Sequence, residues 1–348
     1  MKILIHSLRG SFFEKSIYAG FTEIYGKECI YFYKPKNFDL NDIGIELGNK
    51  KITESENVIA DIDTFDYIFF FNSSVLDNNF KNILNKKTSA TKIYVDGWDD
   101  FFIRNIYYHP EIKFYLKREV YKDKIKQKNK LEWEIRYLYE FFRSREARIN
   151  YRWFSYSNLP INISIVSTRH KFNKLIPFQL TVNDINAFQG KHIDEYDISF
   201  LGHANNPERN DYLKKLQMWL KTTKIKNYIS TEITEKDVYI NLLKKSKVGL
   251  SLRGIGYDTW RYWEIACSGA ALLSQRLPIY IPNDFVDGES AIYFSNFEEL
   301  KSKIDRYLIK SNEYEEVARN GREHFFRYHT PEKRIRYLIE KMNSNLKG

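Results

Sequence analysis

The stretch from Lys247 to Leu273, KVGLSLRGIGYDTWRYWEIACSGAALL, constrains the fold more than any other part of the chain. An apolar strand, Val248–Leu252, runs into the loop Arg253-Gly254-Ile255-Gly256-Tyr257-Asp258. A helix follows, with Arg261 and Glu264 three residues apart. It ends at Ser268-Gly269, and a second apolar strand, Ala270–Ser274, begins. Two strands joined through a helix run in the same direction. Their near-continuous apolar character is that of strands covered on both faces. This half of the chain is therefore expected to be a parallel α/β sheet. A glycine loop opening a helix is also suited to holding a phosphate, and a carboxylate on that helix to holding a ribose.

With 348 residues the chain is long for one core and sufficient for two domains. The two cysteines, Cys29 and Cys267, lack CxxC spacing and a histidine cluster, so buried inert thiols are expected rather than a metal or redox site. The opening MKILIHSLRG reads as a first strand, its apolar run being short for a signal peptide. No apolar run approaches the ~20 residues of a membrane span. A cytoplasmic protein is the expectation. The net charge is +10, and residues 111–152 hold 13 Lys/Arg against 7 Asp/Glu, interleaved with aromatics. Such a segment fits nucleic acid, the inner face of an anionic membrane or an anionic glycan. Solvated amphipathic helices with aromatics in the core are the plainer alternative.

Strands and helices alternate from the start, which predicts α/β layering. Expected strands in the first half are Ile3–His6, Glu28–Tyr33, Tyr67–Phe71, Lys92–Val95 and Ile161–Val166, with residues 113–150 mostly helical and a loop through Pro177. The pattern restarts near residue 185 with Asp197–Leu201, then Lys226–Ser230, Val248–Leu252, Ala270–Ser274 and Ala291–Phe294. The expected organisation is two Rossmann-like domains, 1–184 and 185–348, facing across a cleft.

The site chemistry follows from the loops. Gly254 and Gly256 offer backbone N–H groups near a helix starting at Thr259. Arg253, Arg261 and Arg209, the last after the Gly202 loop, are candidates for charge-assisted bonds to phosphate. Glu264 suits paired ribose hydroxyls and shares a helix face with Arg261. An ordinary Arg261–Glu264 surface ion pair with a plain glycine turn is the alternative. Tyr228, Ile233 and Val238 are candidates to flank a nucleobase. A base for an acceptor hydroxyl is sought in the Asp96–Asp100 cluster, where neighbouring carboxylates raise one another's pKa. A helix cap there is the alternative. His6, after the first strand, is a second candidate, with packing as its plainer role.

These residues resemble a known superfamily. Ser199-Phe200-Leu201-Gly202 with Arg209, the run Arg261 to Gly269, and the Asp96–Asp100 segment with Tyr115-Leu116-Lys117-Arg118-Glu119 downstream are similar to GT-B glycosyltransferases of the group-1, CgeB-like type. Arg261, Trp263, Glu264, Arg209 and Asp99 also resemble phage DNA β-glucosyltransferase, another GT-B enzyme. The resemblance implies a GT-B fold whose C-terminal helix returns toward the N-terminal domain. It implies a hexosyl- or pentosyltransferase of polysaccharide biosynthesis, using a nucleotide-sugar (a UDP- or TDP-sugar) as substrate, with no cofactor and no metal. The acceptor would be a glycan, lipid-linked or protein hydroxyl. A DNA-modifying enzyme or a non-catalytic nucleotide- or nucleic-acid-binding module is the alternative. Donor contacts would come from Gly202, Arg209, Arg253, Gly254, Gly256, Asp258, Thr259, Arg261 and Glu264, with Asp99 as base and Asp96 and His6 as further catalytic candidates. Retaining members carry two glutamates eight positions apart. Glu264 matches the second, but Gly256 stands at the first, so the resemblance favours inversion.

Overall fold

The computed structural model describes residues 1–6, 12–33, 52–53, 61–72, 74, 79–97, 105–120, 122, 174–203, 206–232 and 234–347. The chain forms two compact units. Met1–Gln179 with Pro331–Gly348 make the first, and Leu180–Thr330 the second. Each holds one sheet.

The first sheet contains β1 (Ile3–His6), β2 (Ile30–Tyr33), β3 (Ile52–Thr53), β4 (Tyr67–Phe71), β5 (Thr91–Asp96), β6 (Phe114–Lys117) and β7 (Leu175–Pro177). Their order is β3-β2-β1-β4-β5-β6-β7, and every pairing is parallel. Ile3, Leu4 and Ile5 are fully buried, as are Ile68, Phe69 and Phe70. Burial of both faces is why these segments read as unbroken apolar runs. Two expectations need correction. Residues 114–117 are a strand rather than the start of a helix, and 175–177 are a strand rather than loop. The strand expected at 161–166 lies outside the described residues.

The fully buried Lys92 in β5 reaches the end of the helix Phe80–Asn85. Its ammonium donates to the Leu84 carbonyl at 2.7 Å and to the Lys86 carbonyl, and it lies 3.5 Å from Glu111. A cation there satisfies carbonyls that have no partner within the helix. The terminal helix Pro331–Lys347 packs against the helix Phe12–Tyr25 inside this unit. Gly20 permits the approach. A Cβ built there collides with the Pro331 carbonyl and the Ile335 side chain.

The second sheet contains β8 (Tyr196–Leu201), β9 (Asn227–Ser230), β10 (Ser246–Ser251), β11 (Ala271–Gln275) and β12 (Ile292–Phe294). The order is β12-β11-β10-β8-β9, again parallel throughout. The chain leaves β8 outward to β9, then crosses back to lay β10 on the other side of β8. The gap between the carboxyl ends of β8 and β10 is thus a topological switch point, where open parallel sheets bind ligands. The core beneath combines Ile198, Phe200, Val248, Leu250 and Leu273 with Leu213, Leu216 and Leu220 of the helix Pro207–Leu220. Both cysteines are buried, and burial pushes the Cys267 thiol up to about 12, which makes it a poor nucleophile. No helix among the described residues is long and apolar enough to cross a membrane.

Gly20→Ala is expected to lower stability by about 1–3 kcal/mol, since the obstacle is backbone and cannot rotate away. Urea unfolding at constant m-value measures this, and an unchanged midpoint would refute the close approach.

Candidate functional site

The loops after β8 and β10 meet the amino ends of two helices. The helix Pro207–Leu220 is capped by Asn206, whose side-chain oxygen accepts from the Arg209 amide at 3.2 Å, with proline in the first turn. The helix Trp260–Ser268 starts after Thr259, which makes no side-chain capping bond. It stops at Gly269 with φ of 91°, the left-handed conformation glycine tolerates best. Two helix amino ends at one sheet edge make the site electropositive before any side chain is counted.

Arg209 is buried and joins the two loops. Its Nη1 donates to the His203 carbonyl at 2.8 Å, Nη2 to Leu252 at 3.0 Å and Nε to Arg253 at 2.8 Å. The Asn206 amide adds a bond to the Gly254 carbonyl. Gly254 is packed close to Arg209, since a Cβ there would lie 3.1 Å from Nη2. Arg209, expected as a diphosphate ligand, thus spends three of its N–H bonds in building the loops.

Arg253 folds back over its own loop. It donates to the Tyr257 hydroxyl at 3.0 Å and the Ile255 carbonyl at 3.2 Å, and its guanidinium lies 4.2 Å from the Tyr257 ring centroid. Glu208 is 3.7 Å from it and accepts from Gln275 at 2.7 Å. Gly256 closes the turn by accepting from the Gly254 amide at 2.9 Å. Asp258, expected among the donor contacts, is buried with both oxygens engaged internally. Oδ1 accepts from the Trp263 indole at 2.8 Å and Oδ2 from the Leu180 amide at 2.7 Å.

The helix Trp260–Ser268 is fixed by its buried face. Trp263 bonds to Asp258, and Tyr262 donates to Asp284 at 2.6 Å. The neighbouring Arg261 and Glu264 project from a different face. Arg261 Nη2 donates to the Leu201 carbonyl at 2.6 Å, with its guanidinium 4.3 Å from the Phe200 ring centroid. Gly202 leaves room for that guanidinium, since a Cβ there would collide with Nη2 and push the arginine aside. Glu264 accepts from the Tyr239 hydroxyl at 2.8 Å. No ion pair joins Arg261 and Glu264 among the described residues, so the simple surface-pair reading does not describe them. Burial raises the Glu264 carboxyl above the usual carboxylate range, opposed by the Tyr239 bond and by the charges of Arg261 and Lys236.

The other candidates fall elsewhere. Tyr228 and Val238 are exposed, and Ile233 lies outside the described residues. In the first unit, His6 is fully buried and stacked on Tyr33 at 4.4 Å, with Phe70 and Phe80 around it. Asp96 is fully buried at 3.1 Å from the equally buried Lys117, and it accepts from the Tyr115 hydroxyl. Asp99, and residues 123–152 of the basic segment, lie outside the described residues. Sequence reasoning missed Tyr239, which only the strand order brings to Glu264, and the Glu208–Gln275 pair.

Residues 191–340 match the family described as glycosyl transferase-like. Among solved structures, the chain is similar to a glycosyltransferase from Rickettsia africae, at 10% identity and a TM-score of 0.57, covering 100% of this chain and 99% of that one. It is similar to Alr3699/HepE from Anabaena, solved with UDP and glucose, at 9% identity and a TM-score of 0.57, covering 99% of this chain and 100% of that one. The same Anabaena protein, solved with UDP-glucose, gives 10% identity and a TM-score of 0.54. No curated protein matches the chain by sequence.

Two substitutions separate building from binding. Arg209→Ala should destabilise the second unit by at least about 2 kcal/mol, because three carbonyls lose a charged donor. Intact stability in urea would refute the clamp. Glu264→Gln should have the opposite sign. The native carboxyl holds its proton to higher pH than the unfolded one, whose pKa is about 4.3. Wild-type stability therefore falls as pH rises through the window above that value. The variant should equal or exceed the wild type at pH 7.5, with the gap closing toward pH 4. A variant less stable at pH 7.5 would contradict the burial cost.

Proposed function

We propose that this chain, glycosyl transferase-like over residues 191–340 and GT-B in fold throughout, moves a sugar from a nucleotide-sugar to an acceptor hydroxyl at the switch point of its second unit. The observation that carries the reading is the convergence of Gly202, Gly254 and Arg261 on the carboxyl ends of β8 and β10, with Glu264 three residues beyond Arg261 on the same helix. In this reading Glu264 takes the ribose. The amino end of the helix Trp260–Ser268, with Arg253 and Arg261, takes the diphosphate. Thr259, Gly256 and Gly202 supply close backbone approach, while Arg209 and Asp258 hold the loops in shape. The solved complexes of HepE with UDP and UDP-glucose support a uridine donor, and a TDP-sugar is the other donor considered.

The chemistry is a displacement at the anomeric carbon. A base removes the acceptor proton, the new C–O bond forms opposite the diphosphate, and the nucleoside diphosphate leaves with the bonding pair. The positive helix end and arginines lower the cost of that developing charge. The absence of a carboxylate at Gly256 supports inversion, and the base is assigned to Asp99. Of the other two candidates, Asp96 is committed to Lys117 and Tyr115, and His6 is enclosed by aromatic rings. The acceptor in this reading is a hydroxyl of a glycan, a lipid-linked glycan or a protein, and the reaction needs no metal.

Isothermal titration with UDP is the direct test of the donor site. Glu264→Ala should weaken binding about ten-fold or more without unfolding the protein. Unchanged affinity would sink the ribose assignment. Asp99→Asn should keep donor affinity while reducing turnover, or UDP-sugar hydrolysis, by at least ~10²-fold. EDTA should leave the wild-type rate unchanged. Activity of the Asp99 variant near wild type would move the base elsewhere.

A further inference from the structure

A carboxylate stands against Arg253. Glu208 lies in the first turn of the helix Pro207–Leu220, which follows β8. Gln275 is the last residue of β11 and touches both. Its Nε2 donates to Glu208 Oε1 at 2.7 Å, and its Oε1 accepts from the Arg253 amide at 3.5 Å. Glu208 Oε2 lies 3.7 Å from Arg253 Nη1. The Arg253 side chain is only 7% exposed, and its Nε has no hydrogen-bond partner among the described residues. Its side-chain hydrogen bonds go to neutral groups, the Tyr257 hydroxyl and the Ile255 carbonyl. Among the described residues, Glu208 is thus the one carboxylate paired with this guanidinium.

We propose that Glu208 is a built-in competitor of the diphosphate. It pairs with Arg253 in the free protein, yields the arginine to the ligand, and by repulsion promotes release of the nucleoside diphosphate after transfer. The inference rests on the donor-site reading above and adds how that site lets go of its product. A buried guanidinium without a counter-charge is costly, and Glu208 supplies one. Once a diphosphate reaches the same guanidinium, Glu208 is a like charge beside it. An acid in the first turn of a helix also offsets the positive end of the helix dipole. Glu208 is 38% exposed, so it can swing toward solvent, and the Gln275 amide is what directs it to Arg253. Glu208 touches no reacting atom in this reading. It acts on the ligand through Arg253, and it bears on product release, a step that limits turnover in many enzymes.

The test is calorimetry on the wild type and on Glu208→Gln, using the tightest binder among UDP, TDP, GDP, CDP and ADP, and its nucleoside. Glutamine keeps the length and the bond from Gln275 and removes only the charge. The diphosphate should bind the variant about five-fold more tightly, the scale of one partly exposed ion pair. The nucleoside, which carries no phosphate, should bind both proteins equally. The gain should shrink at about 1 M salt, where the Debye length is about 3 Å. Stopped-flow displacement should show slower dissociation of the diphosphate from the variant. Thermal melting checks that the variant is folded. Gln275→Met removes the bond that directs Glu208 and should tighten the diphosphate in the same direction, which keeps the inference testable if Glu208→Gln does not fold. Diphosphate affinity unchanged or weakened in the folded variants, or an equal gain for the nucleoside, would overturn the inference and leave the donor site standing. A wild type that binds none of the five diphosphates would overturn the donor site itself.

Discussion

The second unit depends on one buried arginine. Parallel pairing sets the spacing of β8 and β10 as far as Ser199 and Gly249, and beyond that register the loops that follow them are joined by side chains. Arg209 joins them by donating to carbonyls on both, at His203, Leu252 and Arg253. A guanidinium is suited to this because its donors lie in a rigid planar fork, whereas a lysine has a single point charge on a flexible stem. Neutral carbonyls hold the group without cancelling its charge. The side chain that sets the loop geometry thus also adds positive potential at the place where a diphosphate is proposed to leave.

Gly202 is a second constraint of the same kind. Because it carries no Cβ, Arg261 can lie on the Phe200 ring and reach the Leu201 carbonyl. Arg261 is then fixed from below by an aromatic face and laterally by a backbone bond. Its helix is fixed by Tyr262 and Trp263 on the buried face. Glu264, three residues beyond Arg261, is half-buried with one oxygen bonded to Tyr239. Each feature is local, yet all derive from the order β9-β8-β10, which places three successive loops side by side.

The parts of the fold that were legible in the sequence are those with long apolar runs and punctuated ends. The β10–helix–β11 unit reads correctly because both strands are covered on two faces and Gly269 stops the helix. β7 was missed because three residues ending in proline carry little strand signal, and edge strands are where proline is tolerated. β6 was missed for another reason. Phe114, Tyr115 and Leu116 are good strand formers, but they open a long segment rich in lysine and glutamate, and its composition masked them. At the site, the residue types were legible and their roles less so. Spacing places Arg209 and Asp258 near a loop, but cannot reveal that backbone carbonyls, an amide and an indole already occupy them. The Tyr239–Glu264 bond has no periodic signature, since only the crossover connection brings the two together.

The energetics of Glu264 separate a site from a scaffold. Its carboxyl is raised by burial, so its charge at neutral pH weakens the fold rather than supporting it. A glutamine in the same place would still accept from Tyr239 and would avoid that cost. Asp258, by contrast, has both oxygens bonded inside the unit. The two acids lie six residues apart and meet opposite fates. One is spent on the structure. The other is bonded to Tyr239 through one oxygen, and burial opposes its charge, so keeping a carboxylate there costs stability that Asp258 does not cost.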